Sequence, residues 1–158
     1  MIKMSFSTID AASLSLIAPL LGNDKTLLEE FTEKLSHFER QTFVLKNDGE
    51  IVGTFSLDRV STVPESCVPG KRLFLSHFAA CRGDMRGDLT DILVGYAQDR
   101  CIAMGHRSVT AVFPKNDPLA RASLKKHGFS QVLTQLGEDE LRLSDLTKGS
   151  GCCGGEND

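Results

Sequence analysis

The sequence predicts a mixed α/β domain, and three observations carry that expectation. Apolar residues recur at helical spacing in some segments, and cluster or alternate over short β-branched runs in others. Turn signals such as Asn47-Asp48-Gly49, Gly105 and Gly128 fall between these segments. The length is 158 residues, 41% hydrophobic and 25% charged, enough for one domain to bury its own core.

Each element has its own local reason. Met1 to Ile9 alternates as an opening strand. Asp10 can cap a short helix carrying Leu14, Ile17 and Leu21, which Pro19 bends or ends. Thr26 and Glu29 have capping-box spacing for a second helix, with Leu27, Leu28, Phe31, Leu35 and Phe38 on one face. Thr42 to Leu45 and Ile51 to Leu57 read as a hairpin across Asn47-Asp48-Gly49. Ser61 to Gly70, with two prolines, reads as a loop, and Arg72 to Phe78 as an apolar central strand. Asp88 to Met104 is the strongest helix. Leu89, Ile92, Leu93, Tyr96, Ala97 and Cys101 form its apolar stripe, and Gly105 stops it. Ser108 to Phe113 is a strand. Asp117 and Pro118 start a helix that Gly128 ends, and Gln131 to Gln135 with Glu140 to Leu143 close as a hairpin. The order is β-α-α-β-β-β-α-β-α-β-β.

Composition excludes several function classes. No stretch is apolar for long enough to span a bilayer. The first residues lack a secretory signal's apolar core, which points to a cytoplasmic protein. Eighteen basic residues against 21 acidic give a net charge of -3, which argues against generic nucleic-acid binding. The cysteines, Cys67, Cys81, Cys101, Cys152 and Cys153, are odd in number and lack zinc-finger spacing, so reduced thiols are expected. The segment 147–158 reads as a flexible Gly/Cys tail to a domain of residues 1–146. Its adjacent Cys152 and Cys153 suit a soft metal or a thiol partner.

The informative stretch is Leu73 to Phe129. A strand runs into Ala79-Ala80-Cys81-Arg82-Gly83-Asp84-Met85-Arg86-Gly87, and a long helix follows at once. Such a loop presents unpaired backbone N–H groups at the positive end of a helix dipole, and its arginines add mobile charge. That combination suits a phosphate or pyrophosphate. The glycine spacing fits neither a Walker loop nor a dinucleotide fingerprint.

This segment resembles the acetyl-CoA-binding core of the GCN5-related N-acetyltransferase (GNAT) superfamily, which carries an Arg/Gln-x-x-Gly-x-Gly/Ala loop before its long helix. Arg82, Gly83 and Gly87 are in place, while Met85 stands where the family has a glycine. Leu119 to Phe129, closing in Gly128-Phe129, resembles the family's last helix, and the element order matches over nearly the whole chain.

The resemblance implies a mixed, mostly antiparallel sheet of six to seven strands flanked by about four helices. It implies acetyl-CoA as co-substrate, with no metal required. His77, Phe78, Arg82, Gly83, Asp84, Met85, Arg86, Gly87, Asp88 and Asn116 would hold it. The implied reaction is acetyl transfer to a primary amine, on a small molecule or peptide, by direct attack. His77 and Ser123 are the catalytic candidates, with Glu65 a second candidate base. Many relatives have a tyrosine general acid where this chain has Leu124, and Tyr96 lies instead on the core stripe. Leu27, Phe31 and Phe38 would lie near the acceptor groove. Asp84 and Asp88 place negative charge beside the phosphate loop. The alternative is a catalytically weak or inactive acyl-CoA-binding regulatory protein. Neither a nucleic-acid nor a membrane partner is expected, and a homodimer is left open.

Overall fold

The computed structural model describes residues 4–59, 73–81, 83–129, 131–136 and 139–146. The expected Ser61 to Gly70 loop, Glu65, Arg82 and the tail lie outside them. The described residues form seven strands: β1 (Met4–Ile9), β2 (Arg40–Asn47), β3 (Glu50–Asp58), β4 (Leu73–Ala80), β5 (Ser108–Pro114), β6 (Gln131–Leu136) and β7 (Asp139–Asp145). They make one sheet in the order β1-β2-β3-β4-β5-β7-β6. Only β4 and β5 run parallel among the described strands, joined by a crossover through a helix. The sheet is therefore mixed and mostly antiparallel, as expected.

Among the described residues, three α-helices and one 3₁₀ segment accompany the sheet. The first segment, Ala11–Leu16, is 3₁₀ rather than α, and the Asp10 carboxylate accepts from the Ser13 N–H at its start. Helix α1 (Lys25–Ser36) is capped by Asp24, whose carboxylate accepts from the Leu27 N–H. The expected capping box is thus displaced: Thr26 lies inside the helix, and an aspartate two residues earlier takes the cap. Phe38 also departs from expectation. The chain turns there with φ of +59°, which swings Phe38 off the apolar face and leaves it 84% exposed. Helix α2 spans Arg86–Ala103, and α3 spans Pro118–Lys126 with Asp117 capping it and proline in its first turn.

Two apolar clusters hold these layers together. On one face of the sheet, Leu73, Leu75, Phe43 and Phe55 pack with Leu89, Leu93, Val94 and Ala97 of α2, and with Leu124 and Phe129. Ile92, expected on that stripe, is exposed, and Val94 takes its place. Tyr96 stacks on Phe6 at a centroid distance of 3.7 Å. The smaller cluster, Leu14, Ile17, Phe31 and Val44, seats α1 and the 3₁₀ segment.

Part of the sheet floor beside α1 is polar. Cross-strand partners Arg40 and Asp58, and the row Thr42, Ser56 and Ser76, are all buried. The Thr42 and Ser56 hydroxyls share a hydrogen bond of 2.9 Å. A buried polar row is tolerated when its members satisfy one another.

Candidate active site

The site begins where two strands part. Leu73, Phe74 and Leu75 of β4 pair with Val109, Thr110 and Ala111 of β5, and no ladder pair joins them further on. On its other side, β4 pairs with β3 with a register shift between Thr54 and Ser56. At that bulge His77 adopts φ of +52°, an uncommon conformation for a residue with a side chain.

The bulge decides which way His77 faces. Alternation would place His77 with Leu73 and Leu75, as the strand pattern suggests. Instead Ser76 and His77 both turn toward α1, and Phe78 and Ala80 resume packing against the α2 side. The His77 ring meets the edge of Phe31 at 5.1 Å, and its Nδ1 lies 3.0 Å from the Ser76 hydroxyl.

The parted strands enclose a cavity of about 230 Å³, lined by Ser76, His77, Phe78, Ala79, Val112, Phe113, Pro114, Leu21, Asp117 and Asp139. A smaller cleft of about 20 Å³ adjoins it through Phe78, Ala79 and Asp117, and continues to Arg86, Thr90, Leu119 and Ala120. The two together run from Leu21 and His77 to the start of α2.

The start of α2 differs from the other helix starts. Asp24 and Asp117 cap α1 and α3, but the α2 cap position is Met85, which makes no side-chain cap. The first N–H groups of α2 therefore have no side-chain acceptor there, beside the Arg86 of the cleft. Gly83 turns the loop with φ of +131°, which only glycine adopts readily. The Met85 side chain is exposed. Asp88 lies in the helix's first turn, where it favours the dipole but adds negative charge near the cleft.

Electrostatics around His77 are dominated by burial. Burial lowers its pKa to about 4, and the Arg40 guanidinium pushes the same way, against opposing pulls from Asp58 and Glu30. The Arg40 Nε and Nη2 engage both Asp58 oxygens at 2.7 and 2.9 Å, and Nη2 also meets Glu30 at 3.2 Å. Its guanidinium carbon lies 4.3 Å above the Phe31 ring.

The sequence-predicted residues thus sort by place. His77 and Phe78 line the large cavity, and Phe78 and Arg86 the cleft. Gly83, Asp84, Met85, Gly87 and Asp88 form or adjoin the turn into α2. Asn116 is exposed in the β5–α3 turn, and its neighbour Asp117 lines both spaces. Ser123 lines neither of these two spaces. It is buried, and its hydroxyl is the first influence holding the Asp91 carboxyl below its ordinary pKa, with Lys126 acting in the same direction. Leu124 is core. Cys81, at the end of β4, is half-buried, and the Cys101 thiol is pushed up to about 12 by burial, so it is not a nucleophile.

Sequence reasoning missed Asp139, Leu21 and the Arg40–Asp58–Glu30 cluster. Arg40 and Asp58 meet only through the β2–β3 register, and Asp139 reaches the cavity only because β7 inserts beside β5. No group of metal-ligating side chains occurs among the described residues. No helix among them is long and apolar enough to cross a membrane.

A seven-stranded sheet parted between its fourth and fifth strands, with a glycine turn feeding a helix at the opening, is the GNAT fold. Solved acetyltransferases share it. An N-acetyltransferase from Staphylococcus aureus Mu50 aligns at TM-score 0.67 and 11% identity, over 92% of this chain and 99% of that one. An N-acetyltransferase from Thermoplasma acidophilum, in complex with coenzyme A, aligns at 0.65 and 11%, over 90% and 99%. A spermidine N-acetyltransferase chimera from Vibrio cholerae aligns at 0.68 and 11%, over 94% and 98%. Neither a protein-family model nor a curated protein matches the sequence.

Proposed function

We propose that the chain is an acetyl-CoA-dependent N-acyltransferase that acetylates a primary amine by direct attack. The observation that carries this reading is the parted β4–β5 pair, whose cavity is adjoined by a cleft at an α2 terminus without a side-chain cap. The fit to coenzyme A is chemical: apolar strand surface for a thin flexible arm, then Arg86 and backbone N–H groups for a pyrophosphate. The aspartates nearby subtract from that attraction without closing the cleft.

When bound, acetyl-CoA supplies an activated thioester. The chain's part is to align it and to handle one proton. Backbone N–H groups at the β4 bulge, His77 and Phe78, are the proposed oxyanion donors. With its pKa near 4, His77 is an uncharged imidazole near neutrality, so its one unprotonated ring nitrogen can accept a hydrogen bond from the attacking amine and is a weak base. Alignment carries most of the rate in such a site. Ser123, which lines neither cavity, is assigned no step.

Calorimetry with acetyl-CoA tests the site. Arg86→Ala is expected to weaken binding about tenfold or more, as loss of a charge-assisted hydrogen bond does. Unchanged affinity would overturn the phosphate assignment. Tight binding with thiol release no faster than the amine-free blank, across amino acids, polyamines and peptides, would favour the non-catalytic alternative.

A further inference from the structure

The cavity between the parted strands has two unlike walls. On one side β4 supplies Ser76, His77 and Phe78, where the bulge lies. On the other, β5 and β7 supply Val112, Phe113 and Asp139. Asp139 reaches this space because it pairs with Pro114, which lies beyond Ala111, the last β5 residue that pairs with β4.

The charged lining has one sign. Asp117 and Asp139 line the cavity, and among the described residues no lysine or arginine does. His77 adds no positive charge, because burial keeps its imidazole neutral near neutrality. The two carboxylates differ in what holds them. One Asp117 oxygen accepts from the Ala120 N–H as the α3 cap, and Asp117 also lines the cleft toward α2. Asp139 lines the cavity but not the cleft, and its carboxylate has no hydrogen bond or ion pair among the described residues. The arginines that reach this end of β7, Arg121 and Arg142, engage Glu140 instead.

We propose that Asp139 determines acceptor specificity by holding a second ammonium, so that the acetylated molecule is a straight-chain diamine or polyamine. This inference rests on the acyltransferase reading above. The match has three parts. The reacting amine, uncharged, lies at the β4 bulge. Its nitrogen bonds to the thioester carbonyl carbon, the C–S bond breaks, and the proton the nitrogen loses balances the departing thiolate. The methylenes lie against the mostly apolar lining. The distal ammonium meets the Asp139 carboxylate in a charge-assisted hydrogen bond. At about 230 Å³ the cavity is smaller than the ~300–1,000 Å³ of sites for drug-sized ligands, which favours a thin chain over a ring system. An amino acid would bring its carboxylate toward two others with no cation in the described lining to offset them. A monoamine would leave Asp139 without a counter-charge.

The test uses the full chain, acetyl-CoA and the straight-chain α,ω-diamines from propane to octane. Each diamine is set beside the n-alkylamine and the ω-amino acid of the same chain length, and CoA thiol release is followed. The best diamine is expected to exceed its monoamine about fivefold or more in kcat/KM, a size set by the exposure of Asp139. That advantage should shrink as salt rises. Asp139→Asn should lower the diamine to the monoamine's level through KM, and Asp139→Glu should keep the preference. Asp139→Lys should turn the preference toward the ω-amino acid. A merely structural aspartate would move all three kinds of acceptor together. As a readout independent of turnover, the CoA-loaded protein should bind the diamine more tightly than the monoamine in calorimetry, and Asp139→Asn should erase the difference. Equal use or binding of diamine and monoamine overturns the subsite, as does preference for the ω-amino acid, binding of no amine, or a diamine preference that survives Asp139→Asn. Failure to bind acetyl-CoA overturns the acyltransferase reading on which the subsite rests, a distinct result.

Discussion

His77 combines a strained backbone with a buried imidazole, and both have measurable consequences. Its pKa is lowered from 6.5 to about 4 by burial first and by Arg40 second. The unfolded chain therefore takes up the proton before the folded one does. Stability from this residue is complete above pH 6.5 and is lost as pH falls from there through about 4, by at most ~3 kcal/mol. NMR of the His77 ring should report a neutral imidazole down to about pH 5. His77→Asn, which tolerates positive φ, should flatten the acid side of the stability profile. A ring that titrates near 6.5 would refute the burial argument. Sequence could supply the identity of this histidine and its place at the end of an apolar strand. It could not supply its direction, because one bulge reverses the alternation that pattern reading relies on.

At the scale of elements, the legible parts were those fixed by neighbours in the chain. The Asn47-Asp48-Gly49 turn appears with Asp48 and Gly49 both at positive φ, and Asp117-Pro118 opens α3 as its spacing requires. The loop entering α2 stands where the glycines put it. The illegible parts depended on contacts between distant strands, such as Arg40 with Asp58 or Asp139 beside Pro114. One local reading failed for a local reason: the Thr26–Glu29 spacing marks a helix start, but Asp24, two residues earlier and equally suited, holds the cap. The observed cap predicts that Asp24→Ala costs about 1 kcal/mol of stability in chemical denaturation, whereas Thr26→Ala changes it by a few tenths. Equal effects would return the cap to Thr26.

For the molecule as a whole, acetyl-CoA would span β4, β5 and the α2 terminus at once. Ligand at a hundredfold excess over its Kd should stabilise the fold by about 2.7 kcal/mol. For a domain of this size that is a melting-temperature rise of about 5–10 °C. No shift with acetyl-CoA at millimolar concentration would count against the site.

The short pairing of β4 with β5 also makes the sheet a garment with one weak seam. Among the described residues, eight pairs stitch β2 to β3 but three join β4 to β5, and those three link the strands β1–β4 to β5–β7 within the sheet. When the molecule breathes, the parting should run along this line, with α2 as the backing cloth that keeps both panels in register. The opening proposed for the ligand continues the line along which the fold should tear most readily, and a molecule lodged there would act as a clasp.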